Sequence, residues 1–227
     1  MNSRRRALSR LAVRWHTLAV LYDEFLPVYD VSDSVASVVE ADVPATWKAL
    51  MEVDLIEVAR QRPLVAILGA LRTLPDAVAH LLHGERPHAP EHLRLRDASD
   101  IPSEQGGWVL LGERPQDEIA LGLVGKFWRP VITFAKVAAE EFRDFTEPGY
   151  AKTVYSLSVR RLDDRRTLLS GVMRTATTDQ QARRWFRRYW TLGVGSGAHV
   201  LVNGLLDLTR EMAEQRNAAQ NPDPDHE

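Results

Sequence analysis

The sequence predicts an α+β protein, with antiparallel strands through the middle of the chain and one long helix at its C-terminal end. Period-2 runs rich in β-branched residues recur at 28–42, 108–128 and 150–178. From Asp179 to Glu214 the apolar residues return at helical spacing instead. No Gly/Ser linker divides the chain, so its 227 residues read as a single main domain.

Residues 1–27 read as an N-terminal amphipathic helical extension. Leu8, Leu11, Trp15 and Leu18 form one stripe opposite arginines, and Arg10, Arg14, His16, Asp23 and Glu24 interrupt any bilayer-spanning run. Such a helix packs on its own domain or on a twin, giving a homodimer, or lies on an anionic membrane. The main domain covers 28–214, beginning with a strand in VYDVSDSVASVVEAD. Pro44 then opens a helix whose inner face is Trp47, Leu50 and Met51. Residues 55–82 continue in short helices divided by Pro63 and Pro75, and 84–107 form a Pro-, Gly- and charge-rich loop. His80, His83, His88 and His92 cluster there without metal-ligand spacing, so a solvated loop is expected and no metal.

WVLLGERP and DEIALGLVGKFW read as two strands joined by a turn at Glu113–Gln116. The second is apolar on both faces, so both are covered or one lines a cavity, and Ala120, Gly122 and Gly125 leave room beside it. VITFAKV reads as a further strand, and residues 138–145 as a helical turn. YAKTVYSLSVRRL and RTLLSGVMRTATT form a long hairpin about Asp163–Asp164. In the last helix, capped by Thr178 or Asp179, a cationic side (Arg183, Arg184, Arg187, Arg188) adjoins an aromatic one. Gly193, Gly195 and Gly197 predict a kink or a close backbone approach. Residues 215–227 read as a disordered polar tail.

Apolar and charged fractions of 44% and 26% are ordinary for a globular chain, and a net charge of −2 exerts no general pull on nucleic acid, so no nucleic-acid partner is expected. All but four of the 29 basic residues are arginines, a bias that a GC-rich coding habit explains as well as function does. The absence of cysteine removes disulfides and thiol chemistry and fits a cytoplasmic protein.

The candidate wall of a ligand cavity comprises Trp47, Phe127, Trp128, Arg129, Phe142, Phe145, Tyr150, Tyr155, Trp185, Tyr189 and Trp190. Glu118, Lys126, Arg129, Lys152, Arg174 and His199 are polar groups able to orient a ligand. A base and oxyanion donors for proton abstraction beside a carbonyl would come from Tyr150, His199, Glu118 or Glu147, although sequence spacing pairs none of them. GVGSG follows a helix rather than a strand, so Ser196 reads as a packing residue and not a nucleophile.

The runs LGLVGKFWRP (121–130), EEFRDFTEPGYAKTVYSLSV (140–159) and RRWFRRYWTLGVGSG (183–197) resemble signature segments of a bacterial, polyketide-cyclase-like branch of the START-like, or SRPBCC, superfamily. The resemblance spans about 28–214 and implies a helix-grip fold, in which a curved antiparallel sheet wraps the last helix around a cavity. It implies binding of a small hydrophobic or amphipathic ligand, a lipid or polyketide, without a cofactor. Alternatives are a cyclase or dehydratase acting in the same cavity, or a protein contacting a partner or membrane without a ligand. The paired histidines and carboxylate of the oxygenase members are not found here.

Overall fold

A computed structural model describes residues 20–54, 56–58, 94, 95, 97, 107–130 and 132–220. In chain order its elements are α1 (Leu21–Phe25), β1 (Val31–Val39), α2 (Val43–Glu52), β2 (Trp108–Arg114), β3 (Glu118–Gly125), α3 (Ala139–Phe142), β4 (Ala151–Arg161) and β5 (Thr167–Thr177). The chain then runs through α4 (Gln180–Tyr189), a π-helical segment (Trp190–Val194) and α5 (Gly195–Gln220). The strands form one curved antiparallel sheet in the order β1-β5-β4-β3-β2.

Local chemistry accounts for the element boundaries. The Asp42 carboxylate accepts from the Ala45 N–H at 2.9 Å, and Pro44 sits where its missing N–H costs nothing, so α2 starts there. Asp179 caps α4 through the Ala182 N–H at 2.8 Å and also accepts from the Gly149 N–H, tying the helix to the entry of β4. Those bonds, Ala182 first, hold its carboxyl below the usual range. The β2–β3 turn falls at 115–117, where the sequence predicts 113–116, and Gln116 takes the left-handed conformation there (φ 61°).

Alternation along the strands gives the sheet two apolar faces. On the front, Val39, Ile119, Leu157, Val159 and Leu169 join Leu50 of α2, Val53 just after it, and Leu205, Leu206 and Ala213 of α5 in the main core. Helix α5 packs chiefly on β1 and α2, with a smaller contact on β5. That contact depends on Gly171, where a β-carbon would lie 2.6 Å from Val202 Cγ1 and 3.2 Å from Leu157 Cδ2. On the back, Leu21 and Leu26, from either end of α1, and Phe142 of α3 pack on Leu111, Ala120, Val124 and Val154.

Several expectations change. Residues 20–26, at the end of the expected N-terminal extension, pack on the back of the sheet through Leu21 and Leu26. The six residues 215–220, expected to be disordered, continue α5, with Asn217 Nδ2 donating to the Glu40 carbonyl at 3.0 Å. VITFAKV contributes a single bridge, Gly125 to Phe134, and no strand. The room beside Gly122 and Gly125 is filled: a β-carbon on Gly122 would meet Phe142 at 2.7 Å, and one on Gly125 would meet Phe127 at 3.0 Å. The glycine-rich interruption of the last helix takes the form of the π segment. Just inside it, Thr191 Oγ1 donates to the carbonyls of Arg187 and Arg188, both at 3.0 Å, competing with the α-helical ladder. The expected N-terminal helix of residues 1–19, most of 55–82 and the four-histidine loop lie outside the described residues.

Candidate functional site

The front of the sheet beside α5 holds the best-defined constellation. Side chains of β4 that share this face are Ala151, Thr153, Tyr155, Leu157 and Val159. Tyr155 stands opposite Met173 on β5, which stands opposite Asp33 on β1, so the three form one row across the sheet. The next row contains Val31, Thr175, Thr153, Leu123 and Trp108. Met173, Thr153 and Thr175 are buried, whereas Trp108, Leu110, Leu123 and Tyr155 keep part of their surface open. The rings of Trp108 and Tyr155 lie 5.5 Å apart at 55°, a tilted aromatic pair on the front of the sheet.

Polar groups punctuate that face. Thr153 and Thr175 hydrogen-bond to each other through their hydroxyls at 2.9 Å. Asp33 Oδ2 lies 2.8 Å from His199 Nδ1, a carboxylate orienting an imidazole at the β1 end of the Tyr155–Met173 row. Burial pushes the Tyr155 phenol up to about 12, and Tyr189 adds to the rise because two neighbouring phenolates repel. An unfolded tyrosine titrates near 10, so between pH 10 and 12 the unfolded chain has lost this proton while the folded one keeps it. The phenol's contribution to stability is complete below pH 10 and is lost as the pH rises through 12. Tyr155→Phe is therefore expected to unfold less steeply with pH across that interval, as followed by far-ultraviolet circular dichroism.

The residues singled out from sequence divide among several places. Tyr155 lies on the front of the sheet, and Phe127, Tyr189 and Trp190 share a cluster at the end of that face, under α4. Trp128, Arg129 and Trp185 border a cleft of about 330 Å³ beside α4. Trp47 is main core. Phe142, Phe145 and Tyr150 lie on the back, where the Phe145 and Tyr150 rings meet edge-on at 5.6 Å and Lys126 Nζ sits 4.2 Å from the Tyr150 ring centre.

Glu118 is also at the back and wholly buried. Its carboxylate accepts from the Leu21 N–H at 2.9 Å and the Ser156 hydroxyl at 2.5 Å. Lys152 donates to the carbonyls of Phe142 and Arg143 at 3.3 and 2.8 Å, and burial lowers its pKa. Arg174 pairs with Asp23 and stacks over Tyr22 and Tyr29 at 4.3 and 4.4 Å. These three charges hold α1 and α3 in place. Of the catalytic candidates, His199 alone reaches the front, and Glu118 and Tyr150 do not converge on it. Glu147 is exposed.

Asp33, Trp108 and the Thr153–Thr175 pair were not foreseen. One signal was present: Asp33 shares strand parity with Val31, Val35 and Val39, which marks a carboxylate on an inward-facing row.

A five-stranded curved antiparallel sheet whose front receives a long C-terminal helix is the helix-grip arrangement of the α+β class. No family model matches the chain, and no curated protein matches it in sequence. Among solved structures, a conserved protein from Geobacillus kaustophilus is similar at 11% identity and a TM-score of 0.36, over 82% of this chain and 96% of that one. Hypothetical protein jhp0584 from Helicobacter pylori has 10% identity and a TM-score of 0.36, over 82% and 93%. The Zhui aromatase/cyclase from Streptomyces sp. R1128 has 14% identity and a TM-score of 0.28, over 84% and 98%. Likenesses this distant assign neither substrate nor chemistry.

Proposed function

We propose that this is a binding protein of the START-like kind, which the three sequence segments resemble, and that it holds a small apolar or amphipathic ligand such as a lipid or polyketide. The ligand would lie on the front of the sheet, its ring or chain against Trp108, Leu123 and Tyr155, its polar end towards His199 and Asp33. The observation carrying this reading is the part-open aromatic pair Trp108–Tyr155, with Leu110 and Leu123 also part-open beside it, next to the buried Met173, Thr153 and Thr175. Apolar surface left open beside a core is a common property of ligand sites.

Native mass spectrometry of the purified chain should reveal a co-purified apolar molecule, and a thermal-shift screen of fatty acids and polycyclic phenols should find stabilising ligands. Loss of an aromatic anchor is expected to cost about 2 kcal/mol of binding, so Trp108→Ala or Tyr155→Ala should raise the Kd about thirtyfold. Absence of any bound or stabilising ligand would remove this reading.

The Asp33–His199 pair favours a second reading, a cyclase or dehydratase acting on the same face, with His199 as the base. Turnover of a short poly-β-keto thioester that is lost in His199→Ala and reduced in Asp33→Asn would support it. Unchanged turnover in both variants would defeat it.

A further inference from the structure

The outward side of α4 combines features that folding does not explain. Trp185 is 47% exposed and Leu192, in the π segment, 84% exposed, whereas Phe186 points inward and is buried. Trp185, Arg188 and Leu192 succeed one another at steps of three and four residues, so they form a ridge along the helix. Arg188 lies over the Trp185 ring at 5.3 Å.

A cation-bearing cleft flanks each side of the ridge. One, of about 590 Å³, is lined by Arg183, Arg184 and Arg187 together with Trp190. The other, of about 330 Å³, carries Lys126 and Arg129 beside Trp185. Asp30 neutralises Arg183 within the first cleft, and Asp179 lies in the second, already accepting from the Ala182 and Gly149 N–H groups. Arg184, Arg187 and Arg129 have no carboxylate partner among the described residues. The chain as a whole is slightly acidic, so this concentration of positive charge is local.

From this geometry we infer that the outer face of α4 docks on an anionic lipid bilayer, with Trp185 and Leu192 entering the headgroup layer and the flanking arginines meeting lipid phosphates. Charge complementarity selects an anionic surface. The ridge selects a bilayer over a nucleic acid, because an exposed leucine gains from an acyl boundary and not from a phosphate backbone or a stacked base. The docking is peripheral: among the described residues no helix is long and apolar enough to cross a membrane. It stands independently of the ligand proposed above.

The test is co-sedimentation of the full chain with vesicles of pure phosphatidylcholine and of an equimolar phosphatidylcholine–phosphatidylglycerol mixture. Binding is expected to the mixed vesicles and to fall as salt rises. Each arginine near the surface contributes about a fivefold gain in partitioning, so charge reversal in Arg184→Glu/Arg187→Glu should reduce it at least twentyfivefold. Leu192→Glu should weaken binding while circular dichroism remains that of the parent, since this side chain touches little of the fold. The parent's tryptophan fluorescence should be quenched by bromine-labelled lipid, and less so in Trp185→Phe. No binding to mixed vesicles, binding unchanged in the charge-reversal variant, or displacement by millimolar inorganic phosphate or a single-stranded oligonucleotide would overturn the proposal.

Discussion

Replacing Glu118 with alanine is expected to destabilise the fold by about 3 kcal/mol, because two buried donors, the Leu21 N–H and the Ser156 hydroxyl, lose their acceptor at about 1–3 kcal/mol each. For a chain of this size that corresponds to a fall of about 6–12 °C in Tm. The loss should be directional: α1 is fastened to the sheet through this carboxylate, so the amides of residues 21–26 should exchange with solvent much faster. Glu118→Gln retains one carbonyl acceptor and should cost about half as much. Glu118 lies across the sheet from Trp108 and Tyr155, so Glu118→Gln should leave binding on the front unaltered. A Tm change below 2 °C in the alanine variant would contradict the structural role assigned to this carboxylate, and loss of front-face binding in Glu118→Gln would contradict its location.

The second large effect is expected at Gly171. A methyl group there would stand 2.6 Å from Val202 Cγ1, and Val202 is stiff about χ1, so relief requires α5 to lift from β5. Overpacking of this kind costs about 1–3 kcal/mol for Gly171→Ala, and Gly171→Val should exceed that. Urea unfolding should show a lowered midpoint in both, and hydrogen exchange should quicken in α5 around residues 202–206 before it does in β4. Equal midpoints for Gly171→Ala and the parent would mean that the helix is not seated on this glycine.

Much of the architecture is legible in the sequence because its signals are local. Alternation places the five strands, Pro44 and Asp179 announce two helix starts, and the apolar repeat after residue 198 announces the last helix. The face on which each polar residue falls is less accessible. Parity puts Thr153 and Tyr155 on one side of β4 and Lys152 on the other, but both sides of β3 and β4 are apolar, so it could not say which side faces α5 or that Glu118 joins Lys152 at the back. Small residues on β3 suited a cavity equally well, until Phe142, Leu111 and Phe127 were seen to fill the space from distant parts of the chain. The Asp33–His199 contact joins residues 166 positions apart, so no spacing could announce it. The role of α1 was hidden for the same reason, since its anchor, Glu118, is 97 residues away.

The π segment at Trp190–Val194 fixes an angular offset between two stretches of one helix. A turn that holds about one extra residue leaves the stretch before it roughly 100° out of phase with the stretch after it. Phe186 and Tyr189 can thus aim at the end of the sheet while Leu205 and Leu206 aim at its centre. Chain length within these five residues is therefore quantised: deleting one would restore an unbroken α-helical ladder and swing either the arginine ridge or the core leucines to the wrong azimuth.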